Sequence, residues 1–233
     1  MRWADSAGAP WWFVLLAVAA GALTGRLLQL RLADGGYRLD DETGVLPGRP
    51  TLRLTLLTAF VWGLLAWRLG PLSEWALLPA YLGFGLVGVA LAWIDADVHR
   101  LPLGLTRPAY AILLAQLALA SWASGDWAAL WRAVVAGAIT LVVYFLLALL
   151  AALLRSGFGY GDVQLAGLIG LATGYLSAWG PVVATYAAFI LSGVYAVGRL
   201  VTRRGTRKDD IPFGPWMLLG SLIALLVEVR PPF

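Results

Sequence analysis

Residues 127–154 read WAALWRAVVAGAITLVVYFLLALLAALL, a run whose only charge is Arg132. Roughly 20 apolar residues suffice to carry a helix across the hydrocarbon core of a bilayer. In lipid every backbone polar group must bond internally, which a helix achieves and an open strand does not. Similar apolar runs recur at Trp11–Arg31, Leu52–Trp67, Leu72–Ile94, Leu103–Trp122, Val163–Ala178, Val182–Leu200 and Phe213–Val229. Together these eight runs predict an all-α, polytopic integral membrane protein of about eight transmembrane helices. They consume most of the 233 residues, so the whole chain, 1–233, reads as one transmembrane domain.

Composition agrees. The hydrophobic class makes up 61% and charged residues 13%, with twelve Trp and a mean hydropathy of +0.80. A soluble domain carries about a quarter charged residues. A disordered chain, a coiled coil and an ordinary soluble enzyme are therefore excluded. The first run does not read as a cleavable leader: Asp5 precedes it, no small-residue cleavage site follows, and Arg26 and Arg31 stand at its far end.

Basic residues predict the orientation, because Lys and Arg accumulate on the cytoplasmic side. With the N-terminus outside, thirteen of the seventeen fall on the inner side. Only Arg2, Arg68, Arg132 and Arg230 fall outside. This split favours eight spans with both termini outside. The inner loops are then 32–51, 95–102, 155–162 and 201–212. The first of these reads as a short, flexible cytoplasmic loop, rich in Gly and Pro with mixed charge.

The chain has no Cys and one His, His99. Disulfides, thiolate zinc sites and cysteine nucleophiles are excluded, and a His-based triad or multi-His metal site is not expected. No cofactor or metal is expected. The acidic residues carry more information. Of thirteen, ten have plain surface explanations in loops or at the outer face. Three remain at inner span boundaries: Asp95, Asp97 and Asp162.

Asp95 and Asp97 close the third span, where a negative charge meets the negative end of the helix dipole. The plain structural reading is a solvated helix end compensated by Arg100 and Arg107. Asp162 closes Gly157-Phe158-Gly159-Tyr160-Gly161-Asp162 ahead of an apolar run. Its plain reading is an N-cap. The three glycines also permit close backbone approach, so a peptide substrate in extended form has room to lie here. Taken together the two sites suggest chemistry. Two carboxyls brought close in a low-dielectric site do not both ionise easily. One then retains a proton while the other activates water, as in aspartic proteases. Ser156 has no base nearby in sequence and reads as structural.

At these residues the sequence resembles the type IV prepilin peptidases, GxGD-type membrane aspartic proteases. Three blocks carry the resemblance, over about residues 83–227. The first is Ile94-Asp95-Ala96-Asp97 followed by Leu101-Pro102 and Leu105-Thr106. The second is Gly159-Tyr160-Gly161-Asp162-Val163-Gln164-Leu165. The third is Ile211-Pro212-Phe213-Gly214-Pro215. The resemblance implies a catalytic pair of Asp95 and Asp162. Asp95 is preferred over Asp97 because it stands seven residues before Pro102, the spacing the family keeps. Asp97, Gly159, Gly161, Pro102, Pro212 and Gly214 are then accessory. The implied partners are the basic leader peptides of prepilins or pseudopilins, with membrane lipids around the protein and no nucleic acid. The implied location is the bacterial cytoplasmic membrane, with the cut at its inner face.

The chain departs from the family pattern in several respects, among them Leu103 where a polar residue often follows the Leu-Pro and Gln164 where the family usually has Lys. Many members carry paired C-x-x-C motifs in the first cytoplasmic loop, forming a zinc-binding insert; this chain has no Cys. Many also methylate the new N-terminus, through a block resembling G-S-F-[LI]-N-V-V-x-x-R-[LI]-P. Here the corresponding stretch, Gly21–Leu32, lacks the Ser-Phe and the Asn, so methyltransferase activity is not expected. Among other readings, a small proton- or cation-coupled transporter expects ionisable residues near span midplanes, and the spans hold almost none. A presenilin-like protease expects a Tyr-Asp motif within a span, which is missing. A non-catalytic pilus-assembly homologue does not need the intact aspartates.

Overall fold

A computed structural model describes residues 9–39, 52–70, 77–153, 159–202 and 212–227. These form eight helices: α1 (Trp11–Ala33), α2 (Arg53–Leu69), α3 (Leu77–Val98), α4 (Leu103–Ser124), α5 (Trp127–Leu153), α6 (Tyr160–Leu176), α7 (Gly180–Val201) and α8 (Gly214–Leu226). Among the described residues there is no strand. The architecture is the all-α, polytopic one that the apolar runs predict.

Local chemistry sets the helix boundaries. Pro102 is extended and precedes α4, where its missing N–H costs nothing. Gly125 leaves α4 in the left-handed region, at φ 75°. Asp126 then accepts the Ala129 N–H at 2.9 Å and caps α5. Pro181 and Pro215 stand in the first turns of α7 and α8, where proline is preorganised.

Five helices, α1, α3, α4, α5 and α7, are long and apolar enough to cross a membrane. The others are shorter: α2 and α6 have 17 residues, close to the length of their apolar runs, and α8 has 13, fewer than its run suggests. At ~1.5 Å per residue α8 reaches roughly 20 Å, against a hydrocarbon core of ~30 Å. Burial explains how α6 tolerates its length. From Asp162 to Tyr175 all of it but Gln164 is buried, so it meets protein rather than lipid.

Two helices form the centre. α3 packs on α2, α4 and α8, and α6 packs on α4, α5, α7 and α8. The close seam of α5 and α6 depends on small residues. A Cβ on Gly170 would lie 2.6 Å from Thr140 Oγ1, and one on Gly174 would lie 2.4 Å from Ala136 Cβ. Such small positions let membrane helices approach closely.

The ends of the bundle differ. At one end Arg132 donates through Nε to the Gly174 carbonyl at 3.0 Å and through Nη2 to that of Tyr175. Arg68 Nε donates to the Leu226 carbonyl at 3.1 Å. These cations satisfy the last carbonyls of α6 and α8, where the helix dipoles are negative. Tyr81 on α3 donates to the Ala172 carbonyl on α6 at 2.8 Å, tying the central helices together. At the other end stand the three aspartates.

Candidate active site

The last turn of α3 carries both Asp95 and Asp97, buried with 5% and 1% of their surface exposed. Asp162, in the first turn of α6, is buried as well, at 9%. Asp34 and Asp126, the other described acidic residues, are exposed. The three acids without a surface explanation in the sequence are thus the three removed from solvent. A buried carboxylate is costly unless its oxygens find donors.

Each finds a different one. Asp95 Oδ2 accepts the Gly214 N–H at 2.9 Å. Gly214 opens α8, so this donor is one of the unpaired N–H groups at a positive helix end. The fit leaves no room for a side chain, because a Cβ on Gly214 would lie 2.8 Å from the same oxygen. Pro212 and Phe213 lead into this contact without helical structure, and Ile211 lies outside the described residues.

Asp162 Oδ2 accepts the Gly159 N–H at 3.2 Å. This corrects the N-cap expectation. Gly159 is the capping residue and α6 already begins at Tyr160, so Asp162 reaches back from its third position, as the acid of a capping box does. The expected extended glycine segment is correspondingly short. Gly159 is extended, Gly161 is helical, and Gly157 and Phe158 lie outside the described residues.

Gly161 docks the start of α6 on the loop that follows Asp95. A Cβ there would lie 2.8 Å from Leu101 Cβ. The loop itself turns at His99, at φ 51°, before Leu101 and Pro102 enter α4. Asp95 and Asp162 are close enough to interact electrostatically. Among the described residues no cation forms an ion pair with either. Tyr144 on α5, also buried, lies within range of the Asp162 charge.

Asp97 has another environment. Its Oδ2 accepts the Tyr37 hydroxyl at 2.6 Å, Arg38 Nε at 2.8 Å and Arg38 Nη2 at 2.7 Å. Arg100 Nη2 donates to the Tyr37 carbonyl at 2.8 Å. Burial, then the bond to Asp97, push the Tyr37 phenol above its ordinary range. The bond to Asp97 also holds Arg38 more firmly charged. The compensation expected from Arg100 and Arg107 therefore comes from Arg38. Arg100 instead orients Tyr37, and Arg107 is exposed. Sequence reading counted Arg38 only as a cytoplasmic charge and passed over Tyr37. Their one local signal was an aromatic–basic pair soon after α1, which becomes legible only once its distant partner is known.

Among the described residues no group of three or more His, Asp or Glu side chains forms a metal site. Residues 40–51 of the first loop lie outside the described residues.

Residues 82–197 match the sequence model of the Type IV leader peptidase family. The chain belongs to that family. The matched region includes Asp95, Asp97 and Asp162, but not Tyr37, Arg38 or the Gly214 block. Curated relatives named prepilin leader peptidase/N-methyltransferase extend the likeness. That of Aeromonas salmonicida is 32% identical over 176 residues, covering 73% of this chain and 56% of the relative. That of Aeromonas hydrophila is 31% identical over 172 residues, with the same coverage. That of Pseudomonas aeruginosa is 32% identical over 176 residues, again covering 73% and 56%. The chain thus spans a little over half the length of these leader peptidases. No solved structure matches it significantly.

Proposed function

We propose that the protein is a membrane-embedded aspartic endopeptidase. It removes the basic leader from type IV prepilins or pseudopilins at the inner face of the bacterial cytoplasmic membrane. The observation that carries this reading is the convergence of Asp95 and Asp162, two buried carboxyls from separate helices, at one end of the bundle. Family membership and the activity for which the relatives are named support the peptidase class and the substrate class.

In the proposed reaction one carboxylate takes a proton from water as its oxygen attacks the scissile carbonyl. The other, protonated, donates to the carbonyl oxygen. The tetrahedral adduct then breaks its C–N bond, and a carboxyl returns a proton to the leaving nitrogen. The protons belong to the coupled pair rather than to either member. Gly214 and Gly159 orient the two carboxylates through single N–H donors, leaving the remaining oxygens for water and substrate. Asp95 suits the role better than Asp97, whose Oδ2 already takes three donors from Tyr37 and Arg38.

The test is co-expression with a prepilin, scored by the mobility of the processed form. The wild-type protein is expected to shorten the prepilin at its leader. Full processing by either Asp95→Asn or Asp162→Asn would overturn the pairing of these two aspartates.

A further inference from the structure

Asp162 and the donor that holds Asp95 belong to different parts of the bundle. Asp162 opens α6, which packs along α5. Gly214, whose N–H reaches Asp95, opens α8, which packs along α7. Each pair is closely fitted. Gly170 and Gly174 bring α6 against α5, and a Cβ on Gly220 of α8 would strike the Ala184 carbonyl of α7. The two pairs meet more narrowly, where α6 faces α7 and α8. A contact that fixes one pair against the other therefore helps set the gap between the two carboxyls.

Three aromatic rings cross from one pair to the other. Tyr144 of α5 lies 6.3 Å from Phe189 of α7, centroid to centroid, with 32° between the ring planes. Phe189 lies 5.1 Å from Phe213, at 43°. Both separations fall in the range favoured by aromatic pairs, roughly 4.5–7 Å. The outer two rings adjoin the carboxyls. Tyr144 lines a small cavity with Ala166, and Asp162 stands four residues before Ala166, on the same face of α6. Phe213 caps α8, and its carbonyl accepts the Trp216 and Met217 N–H groups at 3.1 Å each. That carbonyl and the Gly214 N–H belong to one planar peptide. Orienting Phe213 thus orients the donor to Asp95.

The plain reading of Phe189 is a lipid-facing residue of α7, like Ile190 and Val194. Its 44% exposure fits that reading, but its two ring contacts set it apart. Resting on the peptidase reading above, we propose that Phe189 is a positioning residue. Through Tyr144 and Phe213 it sets the spacing of Asp162 and Asp95, without touching a reacting atom. Because it is partly exposed, its loss leaves no closed cavity in the core. The bundle survives, while its two pairs gain freedom.

The experiment combines turnover with a distance. Turnover is cleavage of a prepilin with a basic leader by the purified, folded protein. Phe189→Ala is expected to lower kcat about tenfold with KM nearly unchanged, less than the roughly hundredfold cost of a 1 Å misplacement. Phe189→Tyr keeps the ring and is expected to restore kcat. Ile190→Ala, at a neighbour 62% exposed, should leave it intact. The distance is read by double electron–electron resonance between spin labels on Leu149→Cys of α5 and Val197→Cys of α7, both exposed positions. Phe189→Ala should broaden the distribution, and Phe189→Tyr should keep it narrow. Should Phe189→Ala not fold, Phe189→Leu takes its place with the same expectations. An unaltered distribution, an unaltered kcat, or an equal loss in Phe189→Tyr or Ile190→Ala overturns the proposal. Cleavage by the wild-type protein separates the two readings. Cleavage with no effect of Phe189→Ala sinks the aromatic link alone. A broadened distribution without wild-type cleavage sinks the peptidase alone, and neither signal sinks both.

Discussion

Asp95 and Asp97 stand two positions apart on one helix and meet unrelated partners. At 3.6 residues per turn, positions i and i+2 point to nearly opposite sides. Asp95 consequently faces the start of α8, while Asp97 faces the segment after α1. The roles proposed for them diverge accordingly. Asp95→Asn and Asp162→Asn are each expected to abolish leader cleavage at unchanged membrane levels. Asp97→Asn should keep partial activity; a dead Asp97→Asn beside an active Asp95→Asn would reverse the assignment. Gly214→Ala tests the positioning of Asp95 separately. Its methyl group would sit 2.8 Å from the carboxylate oxygen, and a displacement near 1 Å at a reacting group costs about a hundredfold in rate. We expect kcat to fall by about that factor while KM changes little; an unaltered kcat would dismiss the contact as incidental.

Elements are joined here by contacts of two kinds. Charged and polar contacts link helix ends that are far apart in sequence, as Tyr37 and Arg38 do for α1 and α3. Asp97 is buried and Arg38 half-buried, so removing Arg38 takes a compensating charge from a carboxylate held out of water. Arg38→Ala should therefore lower the unfolding temperature in detergent by several degrees. Adding Asp97→Asn should recover much of the loss, since the amide no longer needs a cation. Equal damage in the single and double variants would show that the pair contributes nothing. Small residues act along the helix shafts instead. Gly170→Leu would force atoms into Thr140 Oγ1 and the Ala136 backbone, an overpacking that costs about 2–3 kcal/mol. That variant should lose most of its folded yield, whereas Gly193→Ala, at a glycine with open space around it, should not.

For the whole molecule, orientation can be tested with little background, because the chain has no native Cys. Asp126→Cys in the α4–α5 turn should react with an impermeant maleimide in intact spheroplasts. His99→Cys, at the aspartate end, should react only after lysis; the opposite pattern would invert the topology. Much of the architecture was legible beforehand. The apolar runs located all eight helices, often to within two residues, because transfer into lipid dictates where uncharged segments lie. The three buried acids were legible too, by elimination, since every other carboxylate had a place in water. Partners were not. Arg38 and Arg100 are equivalent as cytoplasmic charges, and nothing in their neighbours says that Arg38 reaches Asp97 across 59 positions while Arg100 serves Tyr37. The surroundings of each helix were not legible, since a run of apolar residues does not reveal whether it faces lipid or protein, and α6 faces protein. By itself the sequence determined the membrane class, the helix order and the identity of the candidate residues, all of which follow from hydration and local periodicity. Only the tertiary structure decided which donor each carboxyl meets, and that Asp97 is held by the first loop. Those are properties of packing, set by which helix faces come together.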